Sequence, residues 1–254
     1  MGPLVVKIGG STLGEADTTF KDIATLVDHG TSMIVVHGGG AEASRWLEAM
    51  DIPSRFEDGL RVTDADSLPV IVAVYAGLLN KRIVAALNAA GAPAVGLSGV
   101  DGRLLECTVA RPELGFVGEP ATVHAEVLHA LLDGGLMPVV APVGYVVDGD
   151  SYQLLNVNAD TVAVALAASV RASKVVFLTD VEGVQDGSGA VLPALTQHEF
   201  DALVGDGIIA GGMLPKVRGC LDAVAAGVSA QIVDGRVPGA LLDLVGRGTL
   251  FPTS

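Results

Sequence analysis

The sequence predicts an open, three-layer αβα sandwich with a mainly parallel central sheet, and three observations carry that expectation. Short apolar runs alternate with helical stretches in the order βαβαβ…βαβ, which builds a sheet covered on both faces. The composition is half hydrophobic, only 4% aromatic, and holds 33 glycines in 254 residues, an aliphatic mixture suited to strands buried on both sides. Apolar runs also end abruptly in glycines, as at Ile8-Gly-Gly10 and Val36-His-Gly-Gly-Gly40. Glycine lets a chain leaving a strand turn tightly and approach a ligand with no Cβ in the way.

Leu4, Val5, Val6 and Ile8 read as a first buried strand, too β-branched and short for a helix. Lys7 is then a cation at the carboxyl end of a central strand, where open α/β sheets bind ligands. Asp17 is placed to cap a helix carrying Phe20, Ile23, Leu26 and Val27 on one face and closed by Gly30. Met33 to Val36 is a second strand, followed by the glycine run 38–40 and a helix over Ala41 to Met50. Strand, glycine run and helix together aim backbone N–H groups at an anion. Arg55 to Leu68 reads as irregular, and Pro69 opens a long helix to about Ala90.

Ala94 to Leu97 is a strand, Glu119 to Asp133 contains a helix, and Pro138 to Ala141 is a further strand. Asp148-Gly149 is expected as a hairpin turn between Tyr145-Val-Val and Tyr152-Gln-Leu-Leu. Asn156 to Asp160 leads into a helix over Thr161 to Ser169, where Asp160 is a candidate N-cap. A strand at Lys174 to Leu178, helices at Gln197 to Val204 and Leu214 to Ala226, and a strand at Gln231 to Val233 complete the series. The expected division is a first lobe of residues 1–170 and a second of 171–254, with the seam near Arg171.

With 15 Lys+Arg against 29 Asp+Glu, the net charge of −14 disfavours nucleic acid and anionic membranes as partners. A phosphate ligand would need a few cations placed locally. Cys107 and Cys220 are far apart and read as buried thiols, and no secretory leader pattern is present, so a cytoplasmic location is expected. The uncharged stretch Ile83 to Val100 is broken by Asn88, Gly91, Pro93, Gly96 and Gly99, and reads as helix, turn and strand rather than a membrane span.

No P-loop, dinucleotide fingerprint, HExxH, His/Cys metal spacing or GxSxG elbow is present. Of five histidines only His37 touches a candidate loop, in an orienting role. What remains at strand ends is Lys7, Arg61, Asn156, Asp160, Asp180 and Lys216. Phosphoryl transfer uses such a set, because its catalysis is mainly positioning and neutralisation of charge. Taken one at a time, a solvated lysine or a helix cap explains each residue equally well.

Six stretches together carry a resemblance: Leu4-Val-Val-Lys-Ile-Gly-Gly10, Val35-Val-His-Gly-Gly-Gly40, Gly59-Leu-Arg-Val-Thr63, Asn156-Val-Asn-Ala-Asp160, Thr179-Asp-Val-Glu-Gly-Val184 and Gly211-Gly-Met-Leu-Pro-Lys216. In this order they resemble the amino-acid kinase family over nearly the whole chain, and within it the members that phosphorylate N-acetyl-L-glutamate. The resemblance implies the αβα amino-acid kinase fold, a small-molecule amino-acid substrate on the N-terminal lobe, ATP with Mg²⁺ on the C-terminal lobe, and a homodimer built on the N-terminal lobe. It implies Lys7 and Lys216 on opposite sides of the transferring phosphoryl group, held by Asp160. Backbone donors would come from Gly9, Gly10, Gly39 and Gly40, the last two also facing the substrate. Arg61 and Asn156 would hold the α-carboxylate and acylamino end. Asp180, Val181, Glu182, Gly183, Val184 and Gln185, with Ile208, Ile209 and Ala210, would line the nucleotide site.

The chemistry agrees with this assignment. A side-chain carboxylate with an ordinary pKa of about 4.3 is already ionised at neutral pH and needs no general base. Tyr75 to Arg82 and Gly96 to Leu104 resemble the related kinases that act on 2-aminoadipate attached to an acidic carrier protein. Docking such a carrier would require a local basic patch of Arg45, Arg55, Lys81 and Arg82 on an acidic molecule. A nucleotide-binding regulator without turnover is the remaining alternative, and the joint presence of Lys7, Asp160 and Lys216 speaks against it. Arginine-inhibited members carry an extra N-terminal helix, for which a first strand at about residue 3 leaves no room, so an arginine-insensitive dimer is expected.

Overall fold

The computed structural model describes residues 2–9, 18–210 and 213–253. Asp17, the expected cap of the first helix, and Gly10, Gly211 and Gly212 lie outside these described residues. In chain order the elements are β1 (Leu4–Ile8), α1 (Thr19–Asp28), β2 (Met33–His37), α2 (Gly40–Ala49), β3 (Arg55–Glu57), β4 (Leu60–Val62) and α3 (Ser67–Val72). A π-helical segment (Ala73–Leu79) joins α3 to α4 (Asn80–Ala89). Then come β5 (Ala94–Ser98), β6 (Leu105–Val109), β7 (Val117–Val123), α5 (Glu126–Asp133), β8 (Met137–Ala141), β9 (Val143–Asp148) and β10 (Ser151–Val157). The last are α6 (Ala159–Ser169), β11 (Lys174–Thr179), α7 (Gln197–Gly205), α8 (Met213–Ala225), β12 (Ala230–Asp234) and β13 (Thr249–Phe251).

One seven-stranded sheet, in the order β13-β12-β11-β1-β2-β8-β5, runs through both halves of the chain. All its pairings are parallel except that of β13 with β12. The strand order reverses at β1, which pairs with β2 on one side and β11 on the other. Such a switch point opens a crevice at the carboxyl ends of the two strands. Side chains of β1 alternate between the faces. Leu4, Val6 and Ile8 join a core with Ile23, Ile83 and Leu87, whereas Val5 joins a core with Leu166, Val217 and Cys220. By that period Lys7 projects on the Val5 side, where α6 and α8 pack.

On this same side β10, β7, β6 and β9 close a small four-stranded barrel. Its bore is narrow: a Cβ on Gly144 would lie 2.5 Å from Cys107 Sγ, so only glycine fits there. The sequence reading missed the barrel and expected a helix within 119–133, which forms only from Glu126 onward. Strand β7 contains Gly118 and Pro120, both poor strand residues, and Pro120 is tolerated because it pairs beside the register shift between Glu106 and Cys107. Both cysteines are free and buried, as expected.

Three further boundaries differ from expectation. The segment taken as irregular, 55–68, holds the β3–β4 hairpin, whose two-residue turn Asp58-Gly59 has both φ angles positive, at 50° and 80°. That is the mirror-image turn whose twist matches paired strands, and Asp-Gly is its strongest signal. The second hairpin turns at Gly149-Asp150, one residue later than expected, because Asp148 pairs with Ser151. The helical run Ser67–Ala89 is long and apolar enough to cross a membrane by length and composition. Here it lies against the sheet, with Ile71, Ile83 and Leu87 buried.

Candidate active site

The acceptor cleft is a cavity of about 170 Å³ between the glycine run, the β3–β4 hairpin, the π segment and the start of α6. Its lining includes Gly39, Gly40, Arg61, Tyr75, Asn156 and Asn158. Gly38 N–H donates to Ile8 O at 3.0 Å, which ties the glycine run to the end of β1. A Cβ on Gly39 would meet Leu79 Cδ1 at 2.4 Å and Tyr75 Cε1 at 2.9 Å, so the close approach of the loop to the π segment requires glycine. Helices α2 and α6 both begin at this cleft, presenting the positive ends of their dipoles.

Arg61 is the cleft's charged group, and its environment is unusual. It is only 6% exposed, yet no carboxylate pairs with it among the described residues. Its guanidinium donates to Ser54 Oγ at 2.7 Å, Gly40 O at 2.7 Å and Ser44 Oγ at 2.8 Å, and it stacks 4.6 Å from the Phe56 ring centroid. Nε has no partner. Buried charges are normally paired, so this one waits for an anion. Tyr75 stands beside it: burial raises its phenol pKa, and the neighbouring Arg61 opposes the rise. Asn156 donates to Thr63 Oγ1 at 2.9 Å, which fixes its amide next to the hairpin.

Lys7 Nζ lies 2.8 Å from Asp160 Oδ1, with the two side chains 13% and 24% exposed. Asp160 does not cap α6. Asn158 does, accepting from the backbone N–H of Asp160 at 2.8 Å and of Thr161 at 3.2 Å, which frees the Asp160 carboxylate for the lysine. Lys216 sits in the first turn of α8, one turn before Cys220 on the same face. The Cys220 thiol is pushed up, first by burial and then by the charge of Asp160, so this face of α8 looks toward the Lys7–Asp160 pair. Asp160 was expected to hold both lysines. The structure pairs it with Lys7 alone, and Lys216 enters no ion pair among the described residues.

His37 ends β2 beneath the glycine run. Its Nδ1 donates to Gly38 O at 2.8 Å, and Asn80 Nδ2 donates to Nε2 at 3.3 Å. Burial pushes its pKa down to about 4, so the ring is neutral and orients the loop, as expected of it. Because the folded-state pKa is depressed below the usual 6.5, the stability tied to a neutral His37 is fully present above that value and is lost as pH falls toward 4. Unfolding free energy is therefore expected to fall by about 3 kcal/mol across this window through His37, and His37→Gln to flatten the slope in denaturant titrations at pH 7, 5.5 and 4.5.

The nucleotide strip follows β11. Asp180, Glu182, Gln185, Ile208 and Ala210 are exposed and Val181 is partly so, whereas Gly183, Val184 and Ile209 are buried in the fold. Val184 N–H donates to Thr249 Oγ1 at 2.8 Å, and that hydroxyl donates to Leu192 O at 2.7 Å, so β13 holds the strip in place. Gly9 N–H donates to Leu178 O at 3.3 Å across the crevice. Next to the strip, Arg236 forms a two-pronged pair with Asp234 at 2.9 and 2.8 Å and feels the charges of Asp180 and Glu182. The sequence reading missed this pair, along with Tyr75, Ser44 and Asn158.

A family model described as "Amino acid kinase family" matches residues 2–234. The chain belongs to that family. Among curated relatives, it is 48% identical over 269 residues to an acetylglutamate kinase of Acidiphilium cryptum, covering 98% of this chain and 89% of the relative. It is 46% identical over 250 residues to an acetylglutamate kinase of Prochlorococcus marinus strain MIT 9313, covering 94% and 79%. Among solved structures, smu.665 from Streptococcus mutans UA159 superposes with a TM-score of 0.85 at 28% identity, over 99% of this chain and 98% of that one. N-acetylglutamate synthase from Neisseria gonorrhoeae, complexed with coenzyme A and N-acetyl-glutamate, gives 0.85 at 25% identity, over 100% of this chain and 60% of that one. An amino acid kinase implies use of ATP, and the open, mainly parallel sandwich agrees with the fold expected from the sequence.

Proposed function

We propose that this chain transfers the γ-phosphoryl group of ATP to the side-chain carboxylate of N-acetyl-L-glutamate, giving N-acetyl-L-glutamyl 5-phosphate in arginine biosynthesis. The observation that carries this reading is the buried, carboxylate-free Arg61 in a cleft beside the Lys7–Asp160 pair. Arg61 binds the substrate α-carboxylate, and Asn156 the acylamino group. The N–H groups of Gly39 and Gly40 and the N-terminus of α2 face the carboxylate that attacks. The attacking oxygen forms its bond to the γ-phosphorus while the bond to the β,γ-bridging oxygen breaks, and ADP leaves with that electron pair. Lys7 and Lys216 neutralise the charge gathering on the transferring group, and Asp160 fixes the Lys7 ammonium.

Residues 1–170 form the acceptor lobe and residues 171–254 the nucleotide lobe. Among the described residues no three His, Cys, Asp or Glu converge on a common point, and Asp180, Glu182 and Asp234 are engaged by Arg236. Such a donor set suits Mg²⁺ carried in on the nucleotide phosphates, where it supplies charge neutralisation. A homodimer joins through the apolar face of α2 and the α3–π segment, where Trp46, Met50, Pro69, Val70 and Leu78 line a shallow groove. Arg45 and Arg82 both pair with Glu42, which leaves little free basic surface for an acidic carrier protein.

The test is a hydroxamate assay for acyl phosphate with ATP, Mg²⁺ and, in parallel, N-acetyl-L-glutamate, free 2-aminoadipate and a carrier-linked 2-aminoadipate. Product from N-acetyl-L-glutamate alone is the expected result. Product only from the carrier-linked substrate would reassign the acceptor, and none from any of the three would overturn the kinase reading.

A further inference from the structure

A second, larger cavity of about 360 Å³ lies against the acceptor cleft, between β7 and the flank of α6. Leu60, Val117 and Asn158 line both cavities, so these three side chains are all that stand between them. Beyond them the groove is walled by Val164, Ala165 and Ala168 of α6, with Glu119 as its single charged lining residue. In the ladder of β10 and β7, Asn156 pairs directly with Val117. The group that Asn156 holds in the acceptor cleft therefore adjoins the doorway to the groove.

We infer that this groove is an acyl-chain subsite, and that the enzyme accepts N-acyl-L-glutamates with aliphatic acyl groups longer than acetyl. The inference rests on the function proposed above, in which Asn156 meets the acylamino group. With the α-carboxylate on Arg61 and the side-chain carboxylate toward Lys7, the acyl carbons are the part of the substrate directed at Leu60 and Val117. An alkyl chain extended past those residues leaves water for an aliphatic wall, and no charged or polar partner is required of it. Acetyl ends at the doorway and uses none of this surface.

The test is a chain-length series of N-acetyl-, N-propionyl-, N-butyryl- and N-hexanoyl-L-glutamate in the acyl-phosphate assay. Each added methylene is expected to lower KM about two- to fourfold, with kcat nearly constant. Ala165→Leu, which fills the groove away from the catalytic groups, is expected to raise KM for the hexanoyl substrate about tenfold and leave the acetyl substrate unchanged. Leu60→Ala, which widens the doorway, should favour the longer chains further. A KM that climbs with every methylene in the unaltered enzyme overturns the subsite, and that series decides the matter even if Ala165→Leu does not fold. Turnover of the acetyl substrate alone sinks this inference and leaves the proposed function standing; no turnover of any member sinks both.

Discussion

Lys7→Ala is expected to lower kcat by a factor of about 10² to 10³ with little change in either KM, since removing one preorganised charge from a transition state costs on that order. The geometry adds a second penalty. Lys7 Nζ is 2.8 Å from Asp160 Oδ1, and the carboxylate is only 24% exposed. Deleting the ammonium leaves an uncompensated, half-desolvated anion beside the path of an anionic phosphoryl group. Asp160→Asn removes that anion while sparing the lysine, so it is expected to cost less, about tenfold to a hundredfold, through misplacement of the ammonium. The double variant should be more active than the sum of the two losses predicts, because the stranded carboxylate has gone. Single-turnover rates of all three, with circular dichroism as the folding control, check this. A Lys7→Ala enzyme with unchanged kcat would remove the lysine from the mechanism. Lys216→Ala should show a fall of the same order without the penalty, since Lys216 has no ion-pair partner among the described residues.

The residues of this pair were legible in the sequence, but their geometry was not. Lys7 stands in a five-residue apolar strand, and period-2 alternation alone puts it on the Val5 face. Asp160 carried two readings, a helix cap or a ligand of lysine, and nothing local separates them. The decision came from Asn158, whose extended backbone and free amide make it the better cap and release Asp160. Tyr75 was invisible for a different reason. It lies in a π-helical segment, and one extra residue per turn rotates side chains out of the 3.6 period on which a sequence reading depends. The barrel was missed because β7 spends Gly118 and Pro120 on a tight bend, erasing the usual strand signature. The nucleotide strip was placed correctly after β11, yet its support by Thr249 spans 65 residues of chain and leaves no local mark.

Arg61→Met is expected to raise KM for the amino-acid substrate by about 10² to 10³ while leaving the unliganded protein as stable as before, or more stable. Two arguments meet here. A guanidinium that binds a carboxylate through two parallel N–H groups contributes strongly to affinity, and an apolar side chain replaces none of it. In the free protein, however, the same group is a charge with 6% exposure whose partners are two hydroxyls and a carbonyl. Such a cation is held at a desolvation cost that ligand binding repays, and substitution by an apolar residue of similar length removes the cost. Arg61→Lys should not rescue binding, because an ammonium cannot reproduce the planar fork or the stack on Phe56. Thermal unfolding with and without N-acetyl-L-glutamate reads both halves of the argument at once. The unaltered protein should gain several degrees on adding substrate, since a ligand bound only by the folded state stabilises it by mass action. The methionine variant should start as high and gain nothing. A variant that unfolds well below the parent without ligand would mean that Arg61 serves the hairpin rather than the substrate, and the site would lose the observation on which its assignment depends.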